Sequence, residues 1–158
     1  MLHAHEIIPG LWIGNHVASS TQDFYIENSI SCVINCTKEL DFLQTTEKKG
    51  IKNIRIPVDD DLTENQIESL YLYLWDITEY IHKELLQYKN ILVHCYAGVQ
   101  RSSTIVCAYM MRYGKLPYKK VVAMIRSKRP ICFRPSINFK KSLIKFENKL
   151  QFLEDNNE

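Results

Sequence analysis

Nine consecutive residues in the middle of the chain, His94-Cys95-Tyr96-Ala97-Gly98-Val99-Gln100-Arg101-Ser102, bring a thiol, a guanidinium and a hydroxyl into one loop. A short apolar run, Ile91 to His94, precedes them, and a segment of helical spacing, Ser102 to Tyr113, follows. A loop leading from a strand into a helix presents backbone N–H groups that lack intrahelical partners and lie at the positive end of the helix dipole. Such groups bind anions without help from side chains. Ala97 and Gly98 keep bulk out of the loop, and Gly98 can take the unusual dihedrals of a tight turn. Arg101 adds a planar fork of donors that meets phosphate oxygens in pairs, which lysine could not reproduce. Tyr96, Val99 and Gln100, all uncharged, complete a substrate-contacting wall.

The same field acts on Cys95. A free thiol titrates at ~8.5, and a cysteine beside arginine at a helix start falls well below that, so Cys95 is expected to be an ionised nucleophile at neutral pH. Cys32, Cys36, Cys107 and Cys132 sit in apolar or strand-like stretches and are read as packing residues. Cys36 has a second reading: it follows a strand whose end is expected to approach the loop, where it could form a reversible disulfide with Cys95 under oxidation. Transfer to a thiolate needs a proton for the departing oxygen and then a base for water, and one carboxylate can serve for both. Asp59-Asp60-Asp61 is the source, although at least one of the three is an ordinary turn acid. Ser102 is either a helix cap or a hydroxyl that donates to the sulfur as it leaves. His94 is expected to be buried and to position the loop, not to act as a base. His3, His5, His16 and His82 have no metal-type spacing, and His82 is read as a dipole partner near a helix end. No metal and no cofactor is expected.

Positioning this loop requires alternating strands and helices. Strands are expected over Ile7 to Ile13, Ile30 to Asn35, Ile51 to Val58 and Ile91 to His94, all short and rich in β-branched residues. A helix from Ser19 to Asn28 would begin at a serine cap. The clearest helix starts at the capping box Thr63-Glu64-Asn65-Gln66 and places Ile67, Leu70, Leu74, Ile77 and Ile81 three or four residues apart. Gly114 is expected to stop the helix that follows the loop. Pro117 occupies a first turn for a helix through about Lys128, and a last helix runs from about Ser136 to Phe152. This order predicts an α/β fold with a central, mostly parallel sheet of four or five strands flanked by helices. A single domain over residues 1–153 with a flexible tail at 154–158 is expected from the 158-residue length and the lack of any linker-like stretch.

Composition narrows the setting. No run approaches the roughly 20 apolar residues of a membrane span, and no charged leader precedes an apolar block. Five cysteines, an odd number without regular spacing, point to thiols in the cytoplasm or nucleus. Acids outnumber bases about two to one before His94, and the balance inverts between Arg112 and Lys149, where Glu147 is the one acid. That basic region is read mainly as solvated helix faces. A route to RNA or a phosphoinositide surface is the alternative it leaves.

On these residues the chain resembles the protein tyrosine phosphatase superfamily, whose signature HCxxGxxR(S/T) is met by His94, Cys95, Gly98, Arg101 and Ser102. It resembles the dual-specificity branch in its opening Ile8-Pro9-Gly10-Leu11-Trp12-Ile13-Gly14-Asn15, in the strand Ile30 to Asn35, in Ile56-Pro57-Val58-Asp59-Asp60 and in the Ala-Gly-Val within the loop. The similarity runs from about Glu6 to Phe152. It implies a phosphocysteine intermediate and no metal requirement, makes Asp60 the general acid, and gives Asn35 a part in supporting the phosphate loop. It also implies phosphorylated proteins as substrates, both phosphotyrosine and phosphoserine or phosphothreonine, in a shallow site. Relatives acting on inositol lipids carry lysine in the loop, and those acting on RNA 5′-phosphates differ at its centre. A phosphate-binding module with weak catalysis is a further alternative. One departure stands out. Relatives have asparagine after the proline that precedes the last helix, whereas this chain reads Arg134-Pro135-Ser136, so that supporting hydrogen bond is expected to be remade by Ser136 or lost.

Overall fold

The computed structural model describes residues 3–44 and 49–157. Its sheet contains β1 (Ala4–Ile8), β2 (Leu11–Gly14), β3 (Ile30–Asn35), β4 (Lys52–Arg55) and β5 (Asn90–His94) in the order β1-β2-β5-β3-β4. Only β1 and β2 are antiparallel; β2, β5, β3 and β4 run parallel, as the alternating pattern predicts. The single strand expected over Ile7 to Ile13 is therefore a hairpin. Pro9-Gly10 turns the chain, with Gly10 at φ +86° and its N–H donated to the Glu6 carboxylate at 2.9 Å.

β5 lies at the centre of the sheet and is buried on both faces, which explains why its sequence shows no alternation. Ile91 and Val93 enter the main core, and Leu92 packs on the opposite side with Tyr25, Ile30 and Val33. The main core is closed by α3 (Glu64–Leu86), α4 (Arg101–Gly114), α5 (Tyr118–Lys128) and α6 (Lys140–Asp155). Every residue of α4 from Arg101 to Met111 is buried, so this helix is the axis around which the others pack. On the other face α1 (His16–Ser19) and α2 (Gln22–Glu27) replace the one helix expected from Ser19 to Asn28. Asn15, not a serine, caps α1 by accepting from the N–H groups of Val17 and Ala18.

Three boundaries differ from expectation for identifiable reasons. β4 ends at Arg55, and Ile56 to Val58 leave the sheet to bring the following acids toward the loop after β5. The left-handed residue that ends α4 is Lys115, at φ 55°, one position beyond Gly114. The last helix begins at Lys140 instead of Ser136, because residues 134–138 are held in an irregular turn by the Gln100 side chain. It also continues through Asp155, so part of the expected tail is helical, while Glu158 lies outside the described residues. Among the described residues no helix is long and apolar enough to cross a membrane.

Candidate active site

Gly14, His94, Asn35 and Arg55 are mutual partners across the four parallel strands, and they form the last rung of the sheet. The carboxyl ends of parallel strands are where open α/β sheets receive ligands, and the loop 95–100 springs from the centre of this rung. Cys95 is buried, and its Sγ lies 3.2 Å from Ser102 Oγ. Ser102 makes no cap: the N-cap of α4 is Gln100, without a side-chain cap bond. Arg101 is the first residue of α4. It donates Nη1 to Val58 O at 2.9 Å and turns Nη2 toward Glu39 at 3.7 Å.

The loop is shaped from below. Gly98 has φ +67°, and a Cβ there would come within 2.6 Å of Gly14 O and 2.7 Å of Arg129 Nη2, so only glycine fits. Arg129, fully buried, donates Nε to Gly98 O at 2.8 Å and Nη2 to Ala97 O at 3.3 Å. By holding those carbonyls on the underside it leaves the other face of the loop for N–H groups. Arg129 Nη1 also meets His5 Nδ1 at 2.8 Å. Burial, reinforced by the charge of Arg129, lowers the His5 pKa, which keeps an acceptor facing the guanidinium. Val99 O accepts from Phe133 N at 2.9 Å, tying the loop to the turn before α6.

Side chains of the loop divide into two sets. Tyr96 stands 53% exposed at the lip and stacks on His16 with ring centroids 4.4 Å apart. Ala97 is also exposed. Gln100, expected on the substrate-contacting wall, instead points away from solvent. Its Nε2 donates to Arg134 O at 3.1 Å and Ser136 O at 2.8 Å, and its Oε1 accepts from Asn138 N at 3.0 Å. The turn at 134–138, where a supporting bond was expected to be remade by Ser136 or lost, is held by the Gln100 side chain through its backbone. Asn35 is likewise displaced from its expected part. It donates Nδ2 to Leu40 O at 2.8 Å and accepts from Thr37 N and Oγ1, so it shapes the turn that carries Glu39 and does not bond the phosphate loop.

His94 is buried with Nδ1 lacking a hydrogen-bond partner among the described residues, and burial pushes its pKa down to about 4 against a weaker upward pull from a Cys95 backbone bond. It is buried behind the nucleophile, as expected, and its backbone bond is to Cys95 itself. Cys36 is wholly buried next to this rung, with its N–H on His94 O at 2.8 Å. Burial raises its pKa, and the neighbouring Cys95 adds to the rise. His82 lies one turn inside α3, stacked on Tyr113 at 3.8 Å, and so is an aromatic packing partner and not a terminal dipole partner.

The three acids have three different environments. Asp59 pairs with Lys38 at 2.9 Å, and its backbone N–H is held by Gln66 Oε1 at 2.7 Å. The capping box is therefore only half formed: Thr63 Oγ1 accepts from Gln66 N, but the glutamine side chain reaches the acidic turn. Asp61 caps Thr63 through both N–H (3.0 Å) and Oγ1 (2.7 Å), and these bonds lower its pKa. Asp60 is exposed, and Asn138 Nδ2 lies 2.8 Å from its Oδ1. Arg129, His5, Glu39 and Asn138 were not legible as site residues, because each is brought in from a distant segment. Among the described residues, no three His, Cys, Asp or Glu side chains are grouped as a metal ion would require.

A buried thiol, a hydroxyl beside it and a guanidinium thus stand together at a helix start on a parallel sheet. Residues 11–149 match the family model described as dual specificity phosphatase, catalytic domain, and the chain belongs to that family. It is 32% identical over 147 residues to the dual specificity protein phosphatase Mpk3 of Drosophila melanogaster, covering 92% of this chain and 34% of that protein. With human dual specificity protein phosphatase 21 it shares 30% identity, covering 92% of this chain and 72% of that one. The chain spans about a third or less of the length of the first relatives it matches. Its fold superposes on the crystal structure of DUSP15 with a TM-score of 0.77 at 30% identity, covering 98% of this chain and 97% of that one.

Proposed function

We propose that this domain hydrolyses phosphorylated proteins, at phosphotyrosine and at phosphoserine or phosphothreonine, through a phosphocysteine on Cys95. The observation that carries this reading is the buried Cys95 Sγ set 3.2 Å from Ser102 Oγ at the start of α4 beside Arg101. The phosphoryl dianion sits in the loop, bound by backbone N–H groups and by Arg101. The sulfur attacks phosphorus; an S–P bond forms as the ester P–O bond breaks, and its electron pair leaves on the substrate oxygen. Asp60 gives that oxygen its proton. Water then attacks phosphorus and passes a proton to the Asp60 carboxylate, while the S–P pair returns to Cys95 and Ser102 donates to the departing sulfur. Inorganic phosphate leaves, and no metal takes part.

Substrate choice rests on the lip. The exposed, uncharged Tyr96 on His16 suits a peptide flank more than a polyanionic headgroup, which favours phosphoproteins over phosphoinositides or RNA 5′-phosphates. The five cysteines stand as free thiols, all buried, which fits a reducing cytoplasm or nucleus. The test is phosphate release from a panel of phosphopeptides, inositol phosphates and 5′-phosphorylated RNA with a chelator present. Activity on the phosphopeptides and its abolition in Cys95→Ser are expected. Turnover that survives in Cys95→Ser would end the mechanism, and activity confined to RNA or inositol phosphates would overturn the substrate class.

A further inference from the structure

Asn138 lies in the turn before α6, at neither the position nor the spacing of the family's supporting asparagine, where this chain has Ser136. Its side chain reaches Asp60 across 78 positions of sequence, Nδ2 to Oδ1 at 2.8 Å. A carboxylate can only accept, so the amide nitrogen must face it. The backbone of Asn138 is fixed in turn: its N–H donates to Gln100 Oε1 at 3.0 Å, and Gln100 Nε2 holds Ser136 O at 2.8 Å and Arg134 O at 3.1 Å. Gln100 is buried and immediately precedes Arg101.

We infer that Asn138 is a positioning residue that aims the Asp60 carboxyl at the phosphate loop, with Gln100 coupling it to that loop. This rests on the reading of Asp60 as the proton donor. The flanking acids explain why an aiming device is needed. Asp59 is drawn to Lys38 and Asp61 to Thr63, so the turn is pinned on both sides of Asp60, yet the Asp60 side chain itself is exposed and free to rotate without its amide partner. The amide takes one carboxyl oxygen and leaves the other to carry the proton. Because Asn138 touches the loop through Gln100, the acid and the guanidinium are held in one frame: Asp60 to Asn138, Asn138 to Gln100, Gln100 to Arg101 along the chain. A single solvent-accessible hydrogen bond contributes little to folding, so its effect is expected in chemistry that depends on the acid.

The experiment uses leaving-group dependence. In Asn138→Ala, kcat on a phosphothreonine peptide, whose alkoxide needs a proton, is expected to fall roughly threefold to tenfold, the worth of one such hydrogen bond. An aryl phosphate with a strongly acidic phenol needs no donor and should react within about twofold of the parent rate. In an Asp60→Asn background the same change should cost nothing further, since its effect runs through that carboxyl. Asn138→Leu, which keeps the volume, should repeat the pattern and covers the case in which alanine unsettles the turn. Equal losses on both substrates, or an additive loss in the Asp60→Asn background, would overturn the positioning role. If Asp60→Asn itself slows both substrates alike, the acid assignment fails instead; if it discriminates and the Asn138 variants do not, only this inference fails.

Discussion

The two ends of α4 treat positive charge in opposite ways. At the C-terminal end Arg112 lies in the last turn, where the helix dipole favours a cation, and every part of it is engaged. Its guanidinium carbon sits 3.4 Å from the Trp75 ring centroid, Nη1 donates to Trp75 O at 2.7 Å and Thr78 Oγ1 at 3.2 Å, and Glu79 lies 3.9 Å away. At the N-terminal end Arg101 is the first helical residue, where the dipole disfavours it, and the first turn has no acid to offset it. Among the described residues its partners are one backbone carbonyl and a half-exposed glutamate at 3.7 Å. Local rules of helix design are met where the helix only has to be stable and broken where a dianion is to be received. The uncompensated positive charge at the N-terminus is where the proposed function seats the phosphate of its substrate.

The largest expected effect tests whether Arg101 matters by its shape or by its charge alone. Arg101→Lys keeps a cation at the helix start but loses the planar fork. Turnover on phosphopeptides should fall by about a hundredfold to a thousandfold, the usual consequence of removing one donor aimed at developing charge. Stability in urea should change little, since lysine keeps the charge at the positive end of the dipole and one hydrogen bond to Val58 O is at stake. A variant that keeps its rate but loses stability would reverse the contrast between the two ends, making Arg101 the structural residue.

The next effect concerns the strand that feeds the N-terminal end. Burial pushes the His94 pKa down to about 4 in the folded chain, against ~6.5 when unfolded, so the unfolded state binds more protons between those values. The folded pKa is the lower one. Stability from this group is therefore complete above about pH 6.5 and is lost as pH falls toward 4, a change of about 3 kcal/mol. Urea midpoints measured from pH 4 to pH 7 should show that slope, and His94→Asn should flatten it even though its packing defect lowers the whole curve. Equal slopes in the two proteins would mean that carboxylates, and not His94, account for the acid sensitivity.

What was legible in the sequence follows the same division. The cradle could be read because nine neighbouring residues supply thiol, fork, hydroxyl and turn glycine, and α3 could be read because Thr63 sits before an apolar stripe of period 3.6. The parts that were missed act over long separations. Arg129 reaches back 31 residues to Gly98 O, Gln100 reaches forward 36 to Ser136 O, and Asn138 meets Asp60 across 78. No local pattern distinguishes a buried arginine that takes loop carbonyls from a solvated one in a basic run. The hairpin of β1 and β2 was missed for a different reason: Pro9-Gly10 lay inside an apolar stretch that read as one strand, although that dipeptide is itself a turn signal. Gln100 stands in sequence among the residues of the substrate wall, yet its side chain is drawn to Arg134 O, Ser136 O and Asn138 N, partners that no local pattern announces.

The smallest effect sharpens the comparison at the far end. Arg112→Ala removes a guanidinium from between Trp75 and Tyr113 and leaves the Trp75 carbonyl without that donor. Loss of the cation–aromatic contact and of two hydrogen bonds should destabilise the fold by about 1–3 kcal/mol. Arg112→Lys should recover part of this, since it restores the charge at the helix end but not the stacked plane. Because Arg112 lies three turns from the cradle, beyond the buried stretch Arg101 to Met111, kcat and KM per folded molecule should stay at the parent values. Denaturation and steady-state assays on the same samples, at a temperature where both proteins are fully folded, separate the two quantities. A fall in kcat of more than about threefold under those conditions would show that α4 transmits strain from its saturated end to its unsaturated one, and the independence of the two ends would have to be abandoned.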